Sequence, residues 1–134
     1  MKNIIAIDYG ERYVGLALKK QSINLAYAYK VLDSKSIDVV DEIKQTILEH
    51  KIDEIVIGYP IGLNSHQTRM SNVVDEFIEN DLKSITNIPI HKIDERMTSK
   101  LTNDNSVRND DLAALEILNS YLKVWLIITL KIDL

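Results

Sequence analysis

The sequence contains no cysteine, which excludes disulfide frameworks, thiolate metal sites and cysteine nucleophiles together. A metal bound here must be held by oxygen or by one of only 3 histidines. Proline and glycine are scarce, 2 and 4 in 134 residues, which separates the chain from collagen-like, low-complexity and disordered sequences. Long apolar runs are missing as well. The longest uncharged one, residues 124–130, falls well short of the ~18 residues that span a bilayer. The apolar run at 4–7 ends at Asp8, too soon for a signal-peptide core. The expectation is a cytoplasmic protein without a membrane partner.

At 134 residues, 46% hydrophobic and 27% charged, the chain fits one globular domain with a real core and one site. Its 20 acids against 16 bases give a formal charge of −4. That balance weighs against nucleic acid, whose binding proteins usually carry a basic footprint. Acids clustered as metal ligands change the account: two bound divalent cations would bring the total to zero.

Hydrophobic periodicity organises the chain. Residues 4–8 and 13–18 are short apolar runs, and Ile23, Leu25, Tyr27, Tyr29 and Val31 alternate; three strands fit this better than any helix. The four-residue links at 9–12 and 19–22 suit antiparallel hairpins. Ser36 is a good N-cap for a helix to His50, with Val40, Ile43 and Ile47 on one stripe. Residues 54–58 read as a buried strand. Met70, Val73, Val74, Phe77 and Ile78 predict a second helix ending near Leu82, and 88–94 a fifth strand. Asn109 or Asp110 caps a last helix with the stripe Leu115, Leu118, Leu122 and Trp125. The order is βββαβαβα: an α/β domain with a mixed five-stranded sheet, hairpins first and helix-linked parallel strands after.

Three groups of acids carry the candidate chemistry. Asp8 closes the first strand ahead of Tyr9 and Gly10, and acids at the ends of central strands face the crevice where open α/β sheets bind ligands. A turn-forming Asx residue explains a lone D-x-G equally well. Asp94, Glu95 and Arg96 close the fifth strand, where a surface ion pair is the simpler account. Asp110 and Asp111 open the last helix, where capping and the helix dipole suffice for either alone. The small pair Ala113 and Ala114 lets that helix start approach the sheet. Convergence of the three groups suits Mg²⁺ or Mn²⁺, and two such ions clamp the oxygens of phosphoryl transfer. His50, His66 and His91 lack paired ligand spacing and are read as structural or surface residues.

The motifs D-Y-G from Asp8 with Arg12 and Gly15, G-Y-P from Gly58, D-E-R-M-T-S from Asp94, and D-D-L-A-A followed by I-L-x-x-Y-L resemble, in that order, the YqgF family. Its members are described as pre-16S ribosomal RNA nucleases and as Holliday junction resolvases with a ribonuclease H-like fold. The resemblance covers residues 1–122 and implies a two-metal site of Mg²⁺ or Mn²⁺. Asp8, Glu95 and Asp110 take the places of the catalytic and metal-binding acids, with Asp111 as a neighbour able to substitute for Asp110. Arg12, Arg96, Thr98 and Lys100 are the implied substrate contacts. The implied function is phosphodiester hydrolysis in 5′-end processing of pre-16S rRNA; cleavage of DNA four-way junctions, or non-catalytic nucleic-acid binding, is the alternative.

The chain departs from the family pattern in three places. Gly62 and Ser65 stand where an Asn and a Gly are usual. The 97–109 segment is short and has only Lys100 and Arg108 as bases. Residues 123–134 form an apolar extension without a recognised counterpart. That extension either continues the last helix and packs on the domain or pairs with a second chain; it is apolar on all sides, which one covering face cannot bury, and this favours the second, a homodimer. The D-x-G start also resembles the phosphate loop of actin-like and sugar-kinase ATPases, which need two such domains where this length supplies one.

Overall fold

A computed structural model describes residues 2–61, 68–94 and 110–132. Five strands, β1 (Ile4–Tyr9), β2 (Tyr13–Lys19), β3 (Ala26–Asp33), β4 (Glu54–Tyr59) and β5 (Ile90–Asp94), form one sheet in the order β3-β2-β1-β4-β5. β1 to β3 pair antiparallel, whereas β4 and β5 add parallel to β1. Around the sheet are α1 (Val39–Glu49), α2 (Arg69–Glu76), the short α3 (Lys83–Ile85) and α4 (Asp110–Ile132). The mixed βββαβαβα sheet with flanking helices expected from periodicity is therefore present.

Strand alternation divides the core between two faces. Ile5, Ile7, Leu16, Leu18, Ile55 and Ile57 pack under α1 and α2. Ile4, Ala6, Ala17 and Val56 pack under Ala114, Ile117 and Leu118 of α4.

The structure corrects several boundaries. α1 is capped by Asp38, whose side chain accepts from the Asp41 N–H at 3.1 Å, and not by Ser36. The Ser36 N–H instead donates to the Asp33 carbonyl in a turn after β3. β3 starts at Ala26, and the link before it runs from 20 to 25, because Ile23 N–H closes a turn on the Lys20 carbonyl. Ile23 and Leu25 are left exposed. A bulge opposite Leu16 and Ala17 gives β3 one extra residue, so Leu32 turns inward while Val31, expected inside, faces out.

The second helix passes Leu82 through a π-helical turn (Phe77–Leu82) into α3. It stops at Ile85, where Thr86 takes an extended conformation that leads into β5. β5 begins at Ile90 rather than Ile88. The inward stripe of α4 is Ala114, Ile117 and Leu118, with Leu115 and Leu122 only partly buried. The small Ala114 lets the axis come close to the sheet.

Candidate active site at the end of β1

Asp8 sits near the end of β1, the central strand. Its parity with Ile4 and Ala6 places it on the α4 face. Directly opposite on β2 is Gly15, and the Ile7–Ile57 register carried one step further sets Gly58 alongside from β4. Neither neighbour brings a side chain, as expected where a ligand must approach a strand closely. The turn that follows is tight: a Cβ on Gly10 would lie 2.6 Å from the Tyr13 carbonyl oxygen, so only glycine fits there.

The direction of α4 brings its start to this edge. Tyr121 Oη donates to Glu54 at 3.4 Å, and the Tyr121 ring stacks on His91 at 5.4 Å. Glu54 opens β4 at the opposite edge, so α4 runs antiparallel to β1. Stepping back from Tyr121 to Asp110 covers roughly 16 Å of helix. β1 from Ile4 to Asp8 covers roughly 13 Å. Asp110 thus begins α4 at the Asp8 edge, on the Asp8 face. Asp94 ends β5 at the same edge, paired with Tyr59.

Glu95, Arg96, Thr98 and Lys100 lie outside the described residues, and at Asp110 and Asp111 the description is of helix backbone alone. Among the described residues no group of three metal-ligating side chains converges.

The donor set at this edge is oxygen, which suits a hard divalent cation. Two histidines are engaged elsewhere: His50 contacts Tyr29 Oη at 3.2 Å, and His91 contacts Glu54 at 3.1 Å. His66 lies outside the described residues. Arg12 pairs with Asp33 at 3.4 Å and lies over the Tyr13 ring. Its guanidinium is held firmly protonated by that bond, while the Lys35 N–H and then Arg12 hold the Asp33 carboxyl below the usual range.

Sequence reasoning missed a cluster beside the site. Asp75 of α2 accepts from Tyr59 Oη at 2.7 Å and from Lys92 Nζ at 2.6 Å, and Lys92 also lies over the Tyr59 ring. Burial pushes the Asp75 carboxyl up, but the bonds from Lys92 and Tyr59 outweigh it and hold it below its ordinary value. The bond to Asp75 raises Lys92. Asp75 therefore stabilises the fold above its unfolded pKa of ~3.9, and loses that as pH falls through its lower folded value. Lys92 stabilises below ~10.4 and loses this as pH rises through its higher folded value. Asp75→Asn should melt below the wild type by a margin that is flat between about pH 5 and 9 and shrinks at both ends. Thermal denaturation across pH checks this; a margin independent of pH would show that charge is not involved.

A pocket of about 380 Å³ lies at the other end of the sheet, among Lys2, Lys19, Leu25, Glu54, Tyr121 and Leu126. It is well removed from the acids.

A family model described as "RuvX: Holliday junction resolvase" matches residues 2–124. Relatives named "Putative pre-16S rRNA nuclease" include one from Dictyoglomus turgidum, 36% identical over 72% of this chain and 68% of its own. Another, from Rickettsia rickettsii, is 33% identical over 89% of this chain and 84% of its own. Among solved structures, T. thermophilus RuvC in complex with a Holliday junction substrate is similar at TM-score 0.59 and 10% identity, covering 87% of this chain and 90% of that one. The Fowlpox virus resolvase with junction DNA is similar at 0.52 and 12%, covering 92% and 99%. At such identities these two establish the fold, a ribonuclease H-like one. With the family model matched over almost its whole length, the chain belongs to the RuvX (YqgF) family.

Proposed function

We propose that this protein is a divalent-metal-dependent nuclease that hydrolyses phosphodiester bonds in nucleic acid, with precursor 16S rRNA as its substrate. The observation that carries the reading is the juxtaposition at one sheet edge: Asp8 flanked by two glycines on the central strand, with α4 starting on the same face. Asp8, Glu95 and Asp110 are the proposed metal ligands. Arg12, Arg96, Thr98 and Lys100 are the proposed phosphate contacts.

Bound Mg²⁺ or Mn²⁺ would supply charge neutralisation and a water of lowered pKa. The chain's part is to hold three carboxylates at one place and leave an open approach for the sugar-phosphate backbone. Hydrolysis then adds water across one P–O bond: hydroxyl to phosphorus, proton to the leaving oxygen.

RNA is favoured because relatives 33% and 36% identical to this chain over the aligned residues carry that name. Four-way DNA junctions are the second reading, favoured by the family description. Labelled precursor rRNA and a synthetic junction, incubated side by side with Mg²⁺, Mn²⁺ or EDTA, separate the two. Cleavage of neither in any metal overturns the reading.

Residues 1–122 form the nuclease unit in this proposal, and 123–134 a self-association segment. α4 continues to Ile132, well past the sheet edge marked by Tyr121 and Glu54. Val124 and Leu126 are about half exposed, and Leu25 more so. Burial of this surface in a homodimer predicts that truncation after Leu122 converts a dimer to a monomer with the acidic edge unaffected. A full-length chain sedimenting as a monomer at micromolar concentration would overturn it. Among the described residues no helix is long and apolar enough to cross a membrane; the proposed location is the cytoplasm.

A further inference from the structure

Arg69 is the first residue of α2. One guanidinium nitrogen lies 2.8 Å from one Glu11 carboxylate oxygen and 2.9 Å from the other. Glu11 belongs to the turn that leaves the sheet just after Asp8. The base of Arg69 is fixed: Thr68 Oγ1 donates to the Pro60 carbonyl at 3.1 Å, and a reciprocal capping box joins Thr68 to Ser71. The bridge therefore links the segments leaving β1 and β4 at the edge that carries Asp8.

Both partners are exposed, the Arg69 side chain at 71% and that of Glu11 at 55%. Ion pairs that open to water contribute little to stability and exchange partners readily. Lys92, in contrast, is held between Asp75 at 2.6 Å and the Tyr59 ring. A guanidinium that donates to both oxygens of a carboxylate can donate to the oxygens of a phosphate in the same way.

We propose that Arg69 is a substrate-binding residue that takes a backbone phosphate next to the scissile one, and that Glu11 occupies its guanidinium until nucleic acid arrives. The flanking position follows from the faces: α2 packs on the side of the sheet opposite Asp8. Glu11 then acts as a competitor that every incoming phosphate must displace, disfavouring weakly charged ligands. The inference rests on the nuclease reading of the Asp8 edge and adds a contact to it.

The test is equilibrium binding of a labelled single-stranded RNA and a four-way junction to the full chain between 50 and 200 mM salt, with steady-state cleavage in Mg²⁺ alongside. Arg69→Ala should raise Kd and KM about tenfold with kcat little changed. It should also flatten the slope of log K against log salt by about one phosphate contact. Arg69→Lys should restore the slope and part of the affinity, and Glu11→Gln should tighten binding. A wild type that binds and cleaves while Arg69→Ala matches it in Kd and slope overturns this inference alone. So does Glu11→Gln weakening binding as much as Arg69→Ala, which would make the pair purely structural. A wild type that binds neither ligand overturns the nuclease reading and this inference with it.

Discussion

Asp8→Asn is expected to melt close to the wild-type temperature and to lose metal-dependent cleavage by on the order of 10³-fold or more. The two halves of that expectation have separate causes. Asparagine keeps the shape of the aspartate and so preserves the strand end between Gly15 and Gly58. Cleavage, in contrast, depends on the charge. An amide oxygen is a weak ligand for a hard divalent ion, and the small glycines alongside bring no replacement carboxylate. Turnover measured at matched Mg²⁺ and Mn²⁺ concentrations, with melting curves alongside, reads both. Wild-type turnover in Asp8→Asn would sink the two-metal reading, whereas a large fall in melting temperature would show Asp8 to be a structural strand-end residue.

What periodicity reveals here, and what it hides, follow from the range of the interactions involved. The order of elements was legible because each strand and helix writes its own period of about 2 or 3.6 residues into a short window. The acids were legible because they stand where those periods stop. The β3 bulge was hidden: an extra residue in one strand is defined only by its partner, so the alternation through Val31 pointed inward and the structure turns Leu32 inward instead. The face of α4 was hidden for another reason. Leu115, Leu118, Leu122 and Trp125 offer one apolar stripe, while Ala114, Ile117, Leu118 and Tyr121 offer another, and local pattern does not choose between them. Packing chooses the second, because Ala114 allows a closer approach to Ala6 and Ala17 than a leucine would. Arg69 and the Tyr59–Asp75–Lys92 cluster were not legible at all, since their partners are brought together only by the fold.

The choice of α4 face bears directly on the third acid, and gives the second large expected effect. Each helical residue advances about 100°. With the buried stripe of Ala114, Ile117 and Leu118 as reference, position 110 falls roughly 30° from its centreline and position 111 roughly 70° to the other side. Both positions start α4 at the Asp8 edge, and position 110 lies nearer that centreline, which makes Asp110 the expected third acid. Asp110→Asn should therefore cost activity on the scale of Asp8→Asn, while Asp111→Asn should cost no more than about tenfold, the effect of a neighbouring charge that touches no reacting atom. Glu95→Gln should match Asp110→Asn. The double variant should be scarcely worse than either, since ligands of one cluster fail as a unit and their losses do not add. Cleavage rates for the four variants at saturating Mg²⁺ decide the matter. Greater damage from Asp111→Asn would place the helix acid one residue further along, and additive losses at Glu95 and Asp110 would mean that the two carboxylates do not share a metal site.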